Sequence, residues 1–324
     1  MELYPFKFIP ILKEVIWGGK KLKNYYNKQT SSNSIGESWE LSSVNGNISV
    51  VLNGKLKGTL LTEILKTNAI EIMGKHIAAK FGTEFPLLIK LIDARENLSV
   101  QVHPNDDLAR KRHNSFGKTE MWYILQNEPE AKLVSGLKKE ISKEEYIHRI
   151  KNNAIEDILA YYPVTPGEVF FIPAGLVHAI GAGILLAEVQ QTSNITYRIY
   201  DYNRKDKDGN TRQLHTQESV DAVNFTAKGA PVTSFKIREG VKRLVACEYF
   251  TVQMIDLNVA KEYNNEDFKE IDSFIILICL DGNATINYKY GMEKIIKGEN
   301  ILIPAALRNS VSIIGNAKLL EAYI

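Results

Sequence analysis

Several features are scarce in this 324-residue sequence, and each scarcity excludes a class of protein. It has two cysteines, Cys247 and Cys279, both inside apolar runs, so we expect buried free thiols in a reducing cytoplasm rather than a disulfide framework. The longest apolar run, SFIILICL at 273–280, is far too short to cross a bilayer. The N-terminal segment lacks the apolar core and cleavage site of a signal peptide. The sequence therefore predicts a soluble cytoplasmic protein.

Excess charge of one sign is also missing. Forty basic residues against 38 acidic ones give a net charge of +2, which supplies no electrostatic reason for binding nucleic acid or a membrane surface. A local basic pocket for a small anion stays compatible with this balance. With 44% hydrophobic residues the chain can bury a substantial core, and its length suits two domains or one large β domain with additions.

Strand patterns dominate the chain, with helices inserted between them. Apolar residues at helical spacing predict a helix near 60–81, and PNDDLARKRHNS predicts another that Asn105 or Asp106 would cap. Further helical patterns cover 138–162 and 216–223. Strand patterns prevail over 164–200 and from 242 to the end. The fold class predicted from these patterns is mainly β with helical insertions.

One internal repeat indicates the architecture. GEVFFIPAGLVH at 167–178 and GENILIPAALRN at 298–309 share six residues at the same offsets, including the Pro-Ala turn. Two such hairpins predict two related β-sandwich or jelly-roll units. The first hairpin ends in His178, whereas the second carries Asn309 at the matching offset, so the second unit has lost this histidine.

The segment NLSVQVHPND at 97–106 alternates apolar and polar residues, as a strand with two different faces does. Leu98, Val100 and Val102 would form an aliphatic face, with Gln101 and His103 together on the other. Two further groups that bind metals, Glu120 and His178, begin other strand-like runs. Two imidazoles, a carboxylate and an amide oxygen suit a divalent metal such as Zn²⁺. A single histidine on a strand more often makes a structural hydrogen bond than binds a metal. His103 and His178 together favour a metal site.

Two levels of family resemblance follow from these residues. Gly167-x5-Pro173-x-Gly175-x2-His178 resembles the second conserved motif of the cupins, and Gln101-x-His103 with Glu120 resembles a variant of the first. More narrowly, the chain resembles the shorter bacterial form of type I mannose-6-phosphate isomerase (phosphomannose isomerase) up to about Arg204. The segments that carry this resemblance are IWGGKKL, IGESWELS, PLLIKLIDARENLSVQVHPND, GKTEMWYIL, PAGLVHAIGAG and EVQQTSNITYRIYDYNR.

The resemblance implies a division of the chain into two cupin-type jelly-roll units plus a small helical segment. We expect an N-terminal metal-binding catalytic domain at 1–104 and 164–240. Between its parts, 105–163 would be a mostly helical insertion that includes the strand of Glu120. Residues 241–324 would form a degenerate C-terminal cupin domain without metal ligands.

The activity implied is metal-dependent interconversion of D-mannose 6-phosphate and D-fructose 6-phosphate through a cis-enediol. The resemblance places one Zn²⁺ per chain on the metal ligands Gln101, His103, Glu120 and His178. It gives catalytic roles to Lys118, Arg198 and Glu188, and substrate binding to Ser99, Lys118 and Arg198. Lys118 could be the base if neighbouring positive charge favours its neutral form, with Glu188 as second candidate. We expect a sugar phosphate as partner, no nucleic acid or membrane, and a monomer or weak homodimer.

Two departures from the longer enzymes leave alternatives open. Asn194 stands where those enzymes carry an aspartate considered for catalysis, and Gly117 stands where they carry a histidine. One alternative is a non-catalytic sugar-phosphate-binding or regulatory cupin on the same scaffold. Another is a different metal-dependent cupin enzyme, such as an Fe(II) dioxygenase, against which Gln101, Lys118 and Arg198 argue.

Overall fold

The computed structural model describes residues 2–205, 208–264, 266–267 and 271–324. Its α-helices are α1 (Lys21–Tyr26), α2 (Leu61–Met73), α3 (Lys75–Phe81), α4 (Asp106–His113), α5 (Lys143–Lys151), α6 (Thr216–Ala222) and α7 (Leu257–Ala260), with 3₁₀ turns at Ile155–Ile158 and Ala305–Ser310. Within the described ranges, no helix has the length and apolar character needed to span a membrane.

The strands fall into two groups along the chain. The first group is β1 (Phe8–Ile9), β2 (Ile11–Gly19), β3 (Ile35–Leu41), β4 (Val50–Val51), β5 (Leu87–Ala94), β6 (Val100–Val102), β7 (Glu120–Asn127), β8 (Lys132–Leu137), β9 (Leu159–Pro163), β10 (Val169–Ile172), β11 (His178–Ala179), β12 (Ile184–Gln191) and β13 (Tyr197–Tyr200). The second group is β14 (Phe235–Arg238), β15 (Val241–Ala246), β16 (Thr251–Asp256), β17 (Tyr263–Asn264), β18 (Ile275–Tyr288), β19 (Gly291–Ile296), β20 (Asn300–Ile303) and β21 (Ser312–Tyr323).

The first group forms an antiparallel sandwich. A six-stranded sheet of order β10-β7-β12-β5-β2-β3 faces a five-stranded sheet of order β13-β6-β11-β8-β9. Aliphatic and aromatic side chains from both sheets, such as Ile92, Trp122 and Phe170 from one and Leu133 from the other, share one core. The outer face of the five-stranded sheet is covered by α5 and α6.

The second group forms one curved sheet of order β14-β15-β16-β21-β18-β19, with β17 on β21 and β20 on β18. Its core continues into the N-terminal sandwich, because alternate residues of β5, namely Leu87, Ile89 and Leu91, pack in the same cluster as Ile276 and Leu320. The remaining face of β5 carries Lys90 toward the interior of the sandwich. The predicted fold class, mainly β with two β units, is confirmed. Cys247 and Cys279 are both free.

Several local expectations are met. Helices α2 and α3 occupy the predicted segment near 60–81, and α6 lies within 216–223. Helix α4 begins after Asn105, whose side-chain oxygen accepts the Leu108 N–H at 3.0 Å. That bond satisfies one of the free amides of the first turn.

Two expectations of helical structure are wrong. The pattern at 138–162 forms a helix only over Lys143–Lys151, since Asn153 adopts a left-handed conformation and the aromatic end pairs with β8 as β9. Segment 105–163 is therefore not mostly helical, because β7, β8 and β9 belong to the two sheets of the sandwich. The repeated hairpins also differ, since the second continues from Pro304 into a 3₁₀ turn where the first has β11.

Candidate metal centre and active-site cleft

Strand register brings the predicted residues of the five-stranded sheet together. Gln101 on β6 lies directly opposite His178 on β11 and Arg198 on β13. Directly opposed residues project to the same face of a sheet, so all three side chains share the interior face. Val100 and Val102 pack on the other face beneath the helices, as predicted. Leu98 does not join them, because it precedes the regular strand and lines the cleft.

The six-stranded sheet contributes a second row of side chains to the interior of the sandwich. Glu188 on β12 lies opposite Trp122 on β7 and Lys90 on β5, and Lys90 lies opposite Trp39 on β3. Glu120 is two residues before Trp122 and therefore shares its face. The sandwich interior is thus lined with charged groups at one end and with aliphatic groups at the other.

His103, Glu120 and His178 form a compact, fully buried cluster. Nδ1 of His103 donates to the Ile195 carbonyl at 2.9 Å, and Nδ1 of His178 donates to the Leu176 carbonyl at 2.7 Å. These bonds leave both Nε2 atoms as acceptors that face each other. The two Nε2 atoms are 3.1 Å apart, and each lies 3.4 Å from Glu120 Oε1. Burial lowers the pKa of His178, and burial together with Lys118 lowers the pKa of His103 to about 3, which keeps both rings neutral.

These residues fit a divalent metal. Two atoms bonded to one zinc ion at about 2.0–2.2 Å lie roughly 2.9–3.6 Å apart, which includes the separations within the cluster. Although burial raises the pKa of Glu120, Lys118 and the histidines hold it well below its usual range, so the carboxylate is ionised. Among the described residues neither oxygen has a hydrogen-bond partner of good geometry, although Lys118 Nζ lies 3.0 Å from Oε2. A buried anion with two imidazole acceptors beside it is a cation site in chemical terms.

Gln101 borders the cluster through its amide. Its Nε2 lies 3.2 Å from Nε2 of His178. Because the two ends of an amide are assigned from hydrogen bonds, a rotation of the amide group presents Oε1 at the same place. Gln101 is therefore within reach of the cluster as a fourth ligand.

Lys118 stands where this cluster meets an open cleft. Its Nζ lies 3.0 Å from Nε2 of His103 and 3.0 Å from Oε2 of Glu120, and the side chain also lines the cleft. The preceding Gly117 donates its N–H to Asp106 Oδ1 at 2.7 Å, and a β-carbon at 117 would approach the Asp106 nitrogen to 2.6 Å. Glycine at this position lets the loop of Lys118 pack against the loop that follows His103.

The cleft has a volume of about 330 Å³, and Ser99, Gln101, Lys118, Glu188 and Arg198 all line it. These five side chains, all named from the sequence, thus share one cavity. Asn194 lies exposed at the rim.

Glu188 is held on both oxygens. Oε1 lies 2.9 Å from Lys90 Nζ, and Oε2 accepts the Trp122 indole N–H at 2.8 Å. Burial and Glu120 raise the pKa of Glu188, whereas Lys90 lowers it. The second carboxylate near Lys90 is that of Glu37, at 3.7 Å. Sequence reasoning missed Lys90 and Glu37, although a lysine inside the apolar run PLLIKLIDA is a signal that could have identified the first.

Cations gather at the β13 end of the cleft, where the strand of Gln101 lies between those of Arg198 and His178. Arg198 is half-buried, and burial and the nearby Arg212 lower its pKa. Arg212 also lines the cleft and binds Asp201 through two bonds of 2.7 and 2.5 Å, while Arg204 donates to the same carboxylate at 2.6 Å. Three guanidinium groups and one carboxylate leave this end positive. Arg212 was also missed, because it lies in a loop with no periodicity beyond the strand of Arg198.

The chain resembles known proteins over nearly its whole length. The family model "Phosphomannose isomerase type I, catalytic domain" matches residues 6–139, and "Mannose-6-phosphate isomerase, cupin domain" matches residues 240–324. Mannose-6-phosphate isomerase ManA of Bacillus subtilis is 34% identical over 317 residues, which cover 95% of each chain. The mannose-6-phosphate isomerase of Streptococcus mutans is 31% identical over 91% of this chain and 90% of its own.

Solved structures show the same fold. The crystal structure of the mannose 6-phosphate isomerase from Bacillus subtilis superposes with a TM-score of 0.88 at 31% identity, covering 99% of this chain and 100% of that one. A putative mannosephosphate isomerase from Archaeoglobus fulgidus shares the fold, with a TM-score of 0.76 at 23% identity over 100% of this chain and 99% of that one. From the full-length relatives and the two family models, the chain belongs to the type I mannose-6-phosphate isomerase family.

Proposed function

We propose that this chain interconverts D-mannose 6-phosphate and D-fructose 6-phosphate by moving a proton between C1 and C2 of the open-chain sugar. The observation that carries the proposal is Lys118, which joins the buried His103, Glu120 and His178 cluster to a cleft that Arg198 and Arg212 also line. Membership of the isomerase family supports the same reaction.

We assign one Zn²⁺ per chain to Gln101, His103, Glu120 and His178. Imidazole nitrogens and a carboxylate oxygen are common zinc ligands. When bound, the metal supplies a Lewis acid that polarises the sugar oxygens at C1 and C2.

The substrate phosphate is assigned to the cationic end of the cleft. Guanidinium groups bind phosphate through paired, charge-assisted hydrogen bonds, which suits Arg198 and Arg212. Ser99 lines the same cleft and offers a hydroxyl donor. Anchoring the phosphate there points the C1–C2 end of the sugar toward Lys118.

We assign proton transfer to Lys118, whose Nζ takes the proton from C2 and returns it to C1, while the proton of the C2 hydroxyl passes to the oxygen on C1. Glu188 is the second candidate base. Its bonds to Lys90 and Trp122 fix the carboxylate in place, which suits orientation of a sugar hydroxyl as well as proton transfer.

The remaining proposals concern the domains, the location and the oligomeric state of the protein. We assign catalysis to residues 1–104 and 164–240 together with the strand of Glu120, and a supporting role without metal ligands to 241–324. We further propose that the enzyme works in the cytoplasm as a monomer or weak homodimer, with a sugar phosphate as its partner and neither nucleic acid nor membrane.

One assay tests the proposal. Metal-depleted protein is incubated with mannose 6-phosphate, and fructose 6-phosphate is measured before and after Zn²⁺ is restored. We expect turnover to appear with Zn²⁺ and not with the depleted protein. Absence of turnover in both states, with sugar phosphate still bound, would instead identify a non-catalytic binding protein, and activity restored by Fe²⁺ with O₂ consumption would identify an oxygenase.

A further inference from the structure

Strand β3 presents different residues to its two sides. Glu37 and Trp39 line the active-site cleft, whereas Ser38 lies opposite Leu91, on the face of the sheet that packs against the C-terminal unit. The register of β3 against β5 shifts between Trp39 and Leu41, so Glu40 is an extra residue in a β-bulge. Bulges next to functional sites redirect the side chains around them.

Glu40 is buried, and groups from distant parts of the chain hold it. Lys28 Nζ lies 2.6 Å from Glu40 Oε1, and the Ser38 hydroxyl donates to the same oxygen at 2.5 Å. From the C-terminal unit, Asn300 Nδ2 donates to the backbone carbonyl of Glu40 at 2.8 Å. Lys28 Nζ in turn donates to the Gly298 carbonyl at 2.6 Å. We call Lys28, Ser38, Glu40, Gly298 and Asn300 the β3 lock.

The C-terminal part of the lock comes from the second copy of the repeated hairpin. Asn300 stands two residues after Gly298, at the offset where the first copy has Val169 two residues after Gly167. Gly298 has φ +87, and a β-carbon there would lie 2.7 Å from the Tyr26 carbonyl. A buried polar group is costly unless it is hydrogen-bonded, and the bonds to Glu40 satisfy Nδ2 of Asn300, whereas Oδ1 has no partner among the described residues. The copy that lost the histidine has gained a contact to the catalytic unit.

The opposite side of β3 reaches the reacting end of the cleft. Trp39 Nε1 donates to Glu37 Oε2 at 2.6 Å, the Glu37 carboxylate lies 3.7 Å from Lys90 Nζ, and Lys90 pairs with Glu188. The Lys90 ammonium also lies 5.2 Å from the centre of the Trp39 ring. The arginines assigned to the phosphate lie on β13 and the following loop, in the facing sheet. We therefore expect a movement of β3 to change the surroundings of Lys90 and Glu188 more than those of Arg198 and Arg212.

We propose that the β3 lock positions the active site. Through Asn300 and Gly298, the C-terminal unit holds the bulge at Glu40 in place, and the bulge in turn sets the positions of the Glu37 and Trp39 side chains. The inference rests on the proposed isomerase function for its kinetic consequence. Its structural part, that the second hairpin sets the place of Trp39, stands independently of the substrate.

The test compares two variants of the same turn. Asn300→Val installs the residue of the first hairpin and removes the bond to Glu40. Lys7→Met removes the Lys7–Glu299 ion pair of 2.7 Å, which also joins the N-terminal segment to this turn but does not involve β3. For Asn300→Val we expect kcat to fall about tenfold or more, since small misplacements of reacting groups cost up to about 100-fold, with KM within about twofold. Lys7→Met is expected to keep both constants.

An NMR measurement distinguishes a displacement of Trp39 from a loss of folded protein. The sequence has three tryptophans, so ¹⁵N-labelled protein gives three indole signals, which Trp→Phe variants assign. In Asn300→Val the Trp39 signal is expected to shift more than that of Trp17, and in Lys7→Met it is expected to stay in place. If Asn300→Val does not fold, Asn300→Ser, which is too short to reach the Glu40 carbonyl, replaces it with the same expectations.

An unchanged kcat, or a fall in activity with the Trp39 signal in its wild-type position, overturns the proposal. If the wild-type protein has no isomerase activity, the proposed function is wrong, and the indole signal alone decides whether the lock positions β3.

Discussion

Nζ of Lys118 lies 3.0 Å from Nε2 of His103, so the residue assigned to proton transfer directly contacts a residue assigned to the metal. Replacing Lys118 with Met removes the proton acceptor and keeps much of the side-chain volume. We expect kcat to fall by about 100- to 10,000-fold, as for loss of a general base, with the bound metal retained. Exchange of the C2 proton in D₂O measures the step directly.

The matched control for Lys118 is Lys111→Met, which changes an exposed lysine on α4. It should exchange the C2 proton at the wild-type rate. If Lys118→Met exchanges normally while Glu188→Gln does not, the base is Glu188.

Metal binding should depend on His178 and should stabilise the fold. We expect His178→Ala to reduce bound zinc from about one ion per chain to near zero in elemental analysis. Because an ion that binds only the folded state adds RT ln(1 + [L]/Kd), Zn²⁺ should raise the melting temperature of the depleted wild type but not of the variant. His76→Ala, at an exposed position on α3, is the control and should bind zinc normally. A variant that kept one zinc would contradict the assigned ligand set.

Arg212 should contribute to phosphate binding, although only the folded structure identifies it. Losing charge-assisted hydrogen bonds of about 1.5–3 kcal/mol should raise KM for the sugar phosphate by roughly 10- to 100-fold in Arg212→Ala, with a smaller change in kcat. Inhibition by inorganic phosphate should weaken by a similar factor. Arg110→Ala, on the exposed side of α4, should leave both unchanged. Equal phosphate inhibition of Arg212→Ala and wild type would exclude this role.

Glu321 should make the stability of the protein depend on pH. It is fully buried in the C-terminal unit and accepts the Tyr263 hydroxyl at 2.8 Å. Burial raises the pKa of Glu321 to about 8, with Asp267 adding to the effect and the Tyr263 hydrogen bond opposing it. The folded state therefore keeps a proton that the unfolded chain releases above about pH 4.5. The contribution of Glu321 to stability is complete below that pH and is lost as the pH rises through 8, by up to about 1.4 kcal/mol per unit.

The check is urea unfolding of metal-depleted protein between pH 5 and 8. Glu321→Gln keeps the shape and hydrogen-bonding capacity but cannot ionise, so its free energy of unfolding should fall less steeply over this range. Parallel profiles for variant and wild type would show that Glu321 does not titrate in the folded state.

Sequence patterns predicted the parts of the site that depend on local spacing. Gln101 and His103 share a strand face, and Glu120 and His178 begin strands, so spacing pointed to a metal site, and the family resemblance grouped the four residues. Lys90 and Glu188 are 98 residues apart and meet only through strand pairing, which no local pattern encodes. The helix predicted at 138–162 failed for a related reason: the segment has helical periodicity, but pairing with β8 makes its end a strand.

Strand β5 separates the catalytic cleft from the core of the C-terminal unit by the thickness of a single sheet. Without the C-terminal unit, the side chains of Leu87, Ile89 and Leu91 on β5 would face water. The C-terminal unit therefore has a structural role that requires no histidine, because it covers this face of β5. Substitutions in this unit that preserve the apolar cover and the contacts of Asn300 and Gly298 should therefore leave the cleft unchanged.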